Sequence, residues 1–207
     1  MTTRSKLLSL LLLCAAAVAG VVFALIHSPQ PPVLATGTIL APARALADFS
    51  LIDNHGRSFG PAQLRGHWSL MFFGYTNCPD FCPSTLTTLA ALEKQLRAAG
   101  AAEPPQVIFV SVDAKRDTPA QLDKYVPYFN PAFIGLTAPD QPTIEALARK
   151  WGVVVAIQPA ADGNYTVDHS GAIFVIDPGG KLAAVLTGPF TVEALQGDYR
   201  RILSART

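Results

Sequence analysis

The stretch Ser69-Leu70-Met71-Phe72-Phe73-Gly74-Tyr75-Thr76-Asn77-Cys78-Pro79-Asp80-Phe81-Cys82-Pro83 decides how this chain is read. Positions 69–73 form a short, largely apolar run suited to a central strand covered on both faces. Positions 74–83 are rich in turn formers, with prolines at 79 and 83. Over 84–99, Leu86, Leu89, Leu92 and Leu96 recur at helical spacing, and Gly100 follows as a stop. Two cysteines therefore sit where a buried strand passes into a helix. Cys78 and Cys82 are four apart, so a helix-like turn brings both thiols to one side. The positive end of a helix favours thiolate, which is both a nucleophile and a soft-metal ligand.

Outward from this passage the chain alternates strand and helix signals. Positions 48–52 and 107–112 predict strands, with a turn at Asn54-His55-Gly56. Asp117-Thr118-Pro119 opens a helix with a cap and a first-turn proline. A further helix is expected over 143–151 and a strand or extended segment over 153–157. Strands at 172–176 and 182–186 join through Asp177-Pro178-Gly179-Gly180, and a terminal helix covers 191–203. No repeat interrupts this order, which predicts one α/β sandwich with a mixed sheet over 46–207. A cysteine pair at a strand-to-helix turn resembles the thioredoxin layout, so the expected fold class is α/β, thioredoxin-like.

Upstream, Arg4 and Lys6 precede an apolar run over 7–26 in which Ser9 is the only clearly polar residue. At a rise of about 1.5 Å per residue the run reaches roughly 30 Å, the thickness of a bilayer core. The basic pair on its N-terminal side places Met1 in the cytoplasm and everything after Ile26 on the opposite side, the periplasm in a bacterium. Residues 1–26 are therefore expected to be a membrane anchor. A cleaved signal peptide ending at Ala17-Val18-Ala19 and a lipoprotein signal ending at Cys14 are the alternatives. The apolar run continues past the first point, and Leu13 stands where the second needs a small residue. Residues 27–45, with Pro29, Pro31, Pro32 and Pro42, are expected to form an extended tether.

Composition narrows the function. Two of the 16 basic residues precede the apolar run, which leaves 14 against 15 acidic ones in the rest of the chain. A near-neutral domain gives no electrostatic footprint for nucleic acid. Three cysteines in 207 residues are too few for a disulfide scaffold.

The exported pair leaves four uses open: a structural disulfide, a dithiol redox catalyst, a copper(I) site and a zinc site. Dithiol catalysts of this layout normally use a spacer of two residues, and here it is three. Structural zinc normally takes four protein ligands, more than so few cysteines and histidines readily supply. Soft thiolates select copper(I). A third ligand would decide among these. His27, His55 and His67 lie in no motif and read as solvated. His169 differs, because Tyr165-Thr166-Val167-Asp168-His169-Ser170-Gly171 immediately precedes the strand at 172–176. In a thioredoxin-like layout that segment packs against the cysteine loop, at the place usually held by a cis-proline. There His169 would complete an S, S, N set suited to copper(I), the alternative being a capping or core histidine; Asp168 could orient the imidazole, though a surface carboxylate is the favoured reading.

Several motifs together resemble the Sco/SenC family. These are 74–83 with Phe72-Phe73 before it, Val110-Ser111-Val112-Asp113-Ala114-Lys115-Arg116-Asp117-Thr118-Pro119, Phe133-Ile134-Gly135-Leu136-Thr137, and 165–170. The likeness runs in order from about Phe49 to Leu186. It implies a membrane-anchored, thioredoxin-fold copper chaperone that binds copper(I), or copper(II), through Cys78, Cys82 and His169. It further implies delivery to the Cu-A site of cytochrome c oxidase subunit II, with other copper carriers or thiol reductants as further partners. The alternative is a thiol–disulfide oxidoreductase in which Cys78 and Cys82 keep the target cysteines reduced. Two positions depart from the family pattern. Ala114 stands where proline is frequent, and Asn77 stands where histidine often precedes the first cysteine; neither removes a ligand.

Overall fold

The structure is a computed structural model that describes residues 3–26, 32–101, 104–159 and 164–205. The chain divides into two compact units, Met1–Pro31 and Pro32–Thr207. The first contains α1 (Thr3–Ile26), whose described side chains, at 11–23, are all exposed. Among the described residues no helix is long and apolar enough to cross a membrane.

The second unit is built on an eight-stranded mixed sheet. Its strands are β1 (Gly37–Ala45), β2 (Leu51–Asp53), β3 (Ser58–Phe59), β4 (Ser69–Gly74), β5 (Gln106–Ser111), β6 (Ile134–Thr137), β9 (Ala172–Ile176) and β10 (Lys181–Thr187). The spatial order is β1-β10-β9-β4-β5-β6-β2-β3. Strands β4, β5 and β6 are parallel, and the remaining pairings are antiparallel. All six residues of β4 are buried, as its uninterrupted apolar run predicts for a central strand. The helices are α2 (Phe81–Ala98), α3 (Pro119–Phe129), α4 (Gln141–Lys150) and α5 (Val192–Ser204). Helix α2 buries Leu86, Leu89, Leu92 and Leu96, the stripe read from the sequence, and Gly100 follows at φ +86°. Among the described residues, strands β7 (Val155–Pro159) and β8 (Tyr165–His169) pair only with each other, as a two-stranded sheet apart from the main one.

The fold thus has the expected mixed sheet with helices and the expected cap and first-turn proline of α3, and two expectations are corrected. The tether expected over 27–45 does not extend to Ala45, because Gly37–Ala45 is a sheet strand paired with β10. Before it, Leu34 and Thr36 are buried; His27, Pro29 and Pro31 lie outside the described residues. Helix α2 starts at Phe81 rather than at 84, since Pro83 falls in the first turn, where its missing N–H is not needed. In α3 the cap is Thr118, whose hydroxyl accepts from the Gln121 N–H, and Asp117 turns inward to full burial.

Candidate metal centre

Sheet register brings the two halves of the site together. Strand β9 runs antiparallel to β4, with Phe72 opposite Ile173. Residues that precede β9 therefore lie beside those that follow β4. This is the adjacency expected between the histidine segment and the cysteine loop.

Cys82 occupies the second position of α2 and is fully buried, whereas Cys78 in the preceding turn is half-buried. Room for Cys82 comes from Gly74: a Cβ there would stand 2.8 Å from its Sγ and 2.7 Å from the Phe109 ring. The helix cap Asp80 makes no side-chain capping bond. Instead the Cys82 N–H donates to Cys78 Sγ at 3.3 Å, so a thiol takes the place of a capping oxygen. The side chain of Cys82 also hydrogen-bonds Cys78. With the backbone N–H groups of Cys82 and Asp80 and the His169 side chain, it lowers the Cys78 pKa to about 5, against the opposing effect of burial. The same bond, with burial, pushes the Cys82 thiol up. The pair is thus one ready thiolate and one held proton.

His169 ends β8. Its Nε2 lies 3.4 Å from Cys82 Sγ, and its Nδ1 lies 3.3 Å from the Ser170 carbonyl oxygen. A carbonyl only accepts, so the tautomer with its proton on Nδ1 donates to Ser170 and leaves the Nε2 lone pair facing the sulfurs for a metal, whereas a proton on Nε2 serves the metal-free thiolate. Rings of Phe72, Tyr75 and Phe81 surround the imidazole at 6.1, 5.9 and 6.2 Å. Phe81 lies directly over Gly171, where any Cβ would overlap its ring. The ligand atoms of Cys78, Cys82 and His169 all lie within 4.8 Å of one another. Two soft sulfurs and one imidazole nitrogen form a donor set that fits copper(I) in both number and type.

Asp168 does not orient the imidazole. Successive side chains on a strand point to opposite faces, and Asp168 is exposed, accepting from Gln158 Nε2 at 3.0 Å. His55 stands in the turn, 3.3 Å from Asp123, and His67 is exposed; neither joins the cluster. The sequence reading missed Asp117, whose buried carboxylate accepts the Thr76 N–H at 2.9 Å and the Thr76 hydroxyl at 2.6 Å, just ahead of Cys78. A cap motif with two candidate capping residues was the available signal.

Residues 38–204 match the family described as SCO1/SenC. A protein of Stutzerimonas stutzeri named for copper binding is 34% identical over 165 residues, with 80% of each chain covered. A mitochondrial SCO2 homologue of Bos taurus is 37% identical over 159 residues, and the match spans 76% of this chain but only 59% of that protein. Among solved structures, Arabidopsis thaliana ScoI with copper bound superposes with a TM-score of 0.72 at 31% identity, covering 76% of this chain and 97% of that one. With a family match over most of its length and relatives more than 30% identical, this chain belongs to the SCO1/SenC family.

Proposed function

We propose that this chain is a copper metallochaperone that holds the ion through Cys78, Cys82 and His169. We take its N-terminal segment, 1–26, to be the membrane anchor, with the domain on the non-cytoplasmic side. Sco proteins are cytochrome c oxidase assembly factors, and the client we assign is the Cu-A site of subunit II. One observation carries the reading: two sulfurs and an imidazole nitrogen from distant parts of the chain converge within 4.8 Å. The Cys78 thiolate is ready for an incoming metal, and transfer proceeds by ligand exchange with thiolates of the recipient. Oxidation to a Cys78–Cys82 disulfide removes both sulfur donors, so redox state gates binding.

The test is anaerobic copper(I) titration of the reduced full-length protein in detergent, with a competing chelator. Wild type is expected to bind one copper, and His169→Ala to bind at least about tenfold more weakly. A wild type that binds no copper, or a His169→Ala variant that binds as tightly, overturns the three-ligand reading.

A second reading, a thiol–disulfide oxidoreductase, draws on the asymmetry of the pair. A half-exposed low-pKa Cys78 beside a buried Cys82 is also the arrangement of an attacking and a resolving thiol. It predicts metal-independent reduction of a disulfide substrate, abolished by Cys→Ser at either position and retained by His169→Ala.

A further inference from the structure

The segment 110–119 supports the family resemblance but contributes no metal ligand. It nevertheless touches both halves of the site. At its far end, the fully buried Asp117 accepts the N–H and hydroxyl of Thr76, two residues before Cys78, and the Ser111 hydroxyl at 2.6 Å. At its near end, the buried Asp113 accepts the Tyr165 hydroxyl at 2.8 Å. Arg116 pairs with Asp113, donates to the Tyr165 carbonyl oxygen at 3.0 Å and lies 3.7 Å over the Tyr165 ring. Tyr165 and His169 are four apart on β8 and so share one face of that strand.

The segment between these ends is fixed. The Asp117 N–H donates to the Asp113 carbonyl at 2.9 Å, the Asp113 N–H to the Ser111 hydroxyl at 3.0 Å, and the Ala114 N–H to the Gln141 side chain at 3.0 Å. The histidine hairpin needs such a hold, because among the described residues β7 and β8 have no backbone ladder to the main sheet. Burial of Val167 adds apolar contact, which is non-directional, and the Val167 backbone also hydrogen-bonds the Tyr75 hydroxyl, a direct link that 113–117 supplement at the two ends.

We infer that residues 113–117 set the separation between the thiol pair and the imidazole, with Asp117 holding the cysteine loop and Asp113 and Arg116 holding the His169 hairpin through Tyr165. These are positioning residues, and the inference rests on the reading that Cys78, Cys82 and His169 bind copper together.

The experiment separates the two ends in the full-length protein in detergent. Hydrogen exchange is measured on the metal-free form, and copper binding on the loaded form. Tyr165→Phe keeps the ring on Arg116 and removes only the hydroxyl bond; Arg116→Lys keeps the charge and removes the planar fork. Both are expected to speed exchange of the β8 amides at least about fivefold and to leave the Thr76 amide unchanged. On copper(II) they are expected to weaken the imidazole nitrogen coupling in the EPR spectrum while the thiolate charge-transfer band persists. Asp117→Asn and Thr76→Val are expected to do the converse, speeding exchange at Thr76–Cys78 and shifting the thiolate band with β8 unchanged. Exchange that rises uniformly over the domain, or in neither segment, overturns the inference. His169→Ala is the separate control: if it binds copper as wild type does, the three-ligand reading fails, while the exchange pattern still decides the role of 113–117.

Discussion

The thiol half and the imidazole half of this site are built in opposite ways. Cys82 grows out of the most buried part of the molecule, at the start of α2 beside the end of a fully buried central strand. His169 ends a two-stranded hairpin with no ladder to that sheet, and its neighbours Val154 and Ile157 are exposed. The first half takes its geometry from backbone hydrogen bonding and close packing. The second takes it from a few side-chain contacts. Such a division gives a fixed pair of sulfurs and a third donor whose position depends on contacts that can be broken singly.

Four substitutions or titrations break or sharpen that contrast. The largest effect is expected within the thiol pair itself. Cys78, with a pKa lowered to about 5 by the Cys82 side chain and nearby N–H groups, is thiolate above that pH and is lost as a nucleophile as pH falls through it. Iodoacetamide is therefore expected to alkylate Cys78 with a midpoint near pH 5. Cys82, buried and with its pKa raised, should react on the order of a thousandfold more slowly at pH 7. Mass-spectrometric peptide mapping of the native reduced protein measures both rates, and equal labelling would refute the asymmetry.

Next in size is the clasp formed by Asp198 in α5, a fully buried carboxylate that accepts the N–H groups of Ala35 and Thr36 and the Thr36 hydroxyl, each at 2.7 Å. Burial pushes its pKa up, but these bonds and Arg201 outweigh burial and the net shift is downward. Its stabilisation is therefore complete above the usual carboxylate range and disappears as pH falls through the lowered value. Asp198→Ala should cost about 3 kcal/mol in urea unfolding at pH 7, and less in acid. Copper affinity should not change, since the clasp touches neither half of the site.

Gly74→Ala and Gly171→Ala compare the halves directly, because each glycine lies against an aromatic ring. At Gly74 the new methyl meets Phe109 and Cys82 in a fully buried setting, and overpacking there should cost about 2–3 kcal/mol and displace Cys82. At Gly171 it meets only the outer edge of the Phe81 ring, which is 39% exposed, so the cost should be lower than at Gly74, about 1–2 kcal/mol. Urea unfolding reads both. Equal costs would show that the histidine side is as tightly packed as the cysteine side.

The same division explains what was legible in the sequence. The thiol half is local: a buried run, two prolines, two cysteines and a leucine stripe lie within one continuous passage, and they fold as they read. The histidine was found through its place before a strand, and of the two uses open to Asp168 the structure has the favoured one, an exposed surface carboxylate. Once 165–169 is a strand, the residue next to His169 faces away from it, and the useful partners are Val167 and Tyr165 on its own face. Strand β1 was hidden because its hydrogen-bonding partner, 181–187, lies at the other end of the chain, and Pro42 argues against an ordinary strand. Asp117 was placed only at the opening of a helix, since local pattern shows nothing more. Only the tertiary approach of Thr76 gives it a further use.

The unequal burial of the two cysteines has a consequence in time. A visiting thiol can reach Cys78 but not Cys82, which has no exposed surface. On the copper-chaperone reading proposed above, a recipient thiolate would therefore meet Cys78 before Cys82, and the order of ligand exchange would follow the unequal burial of the two sulfurs.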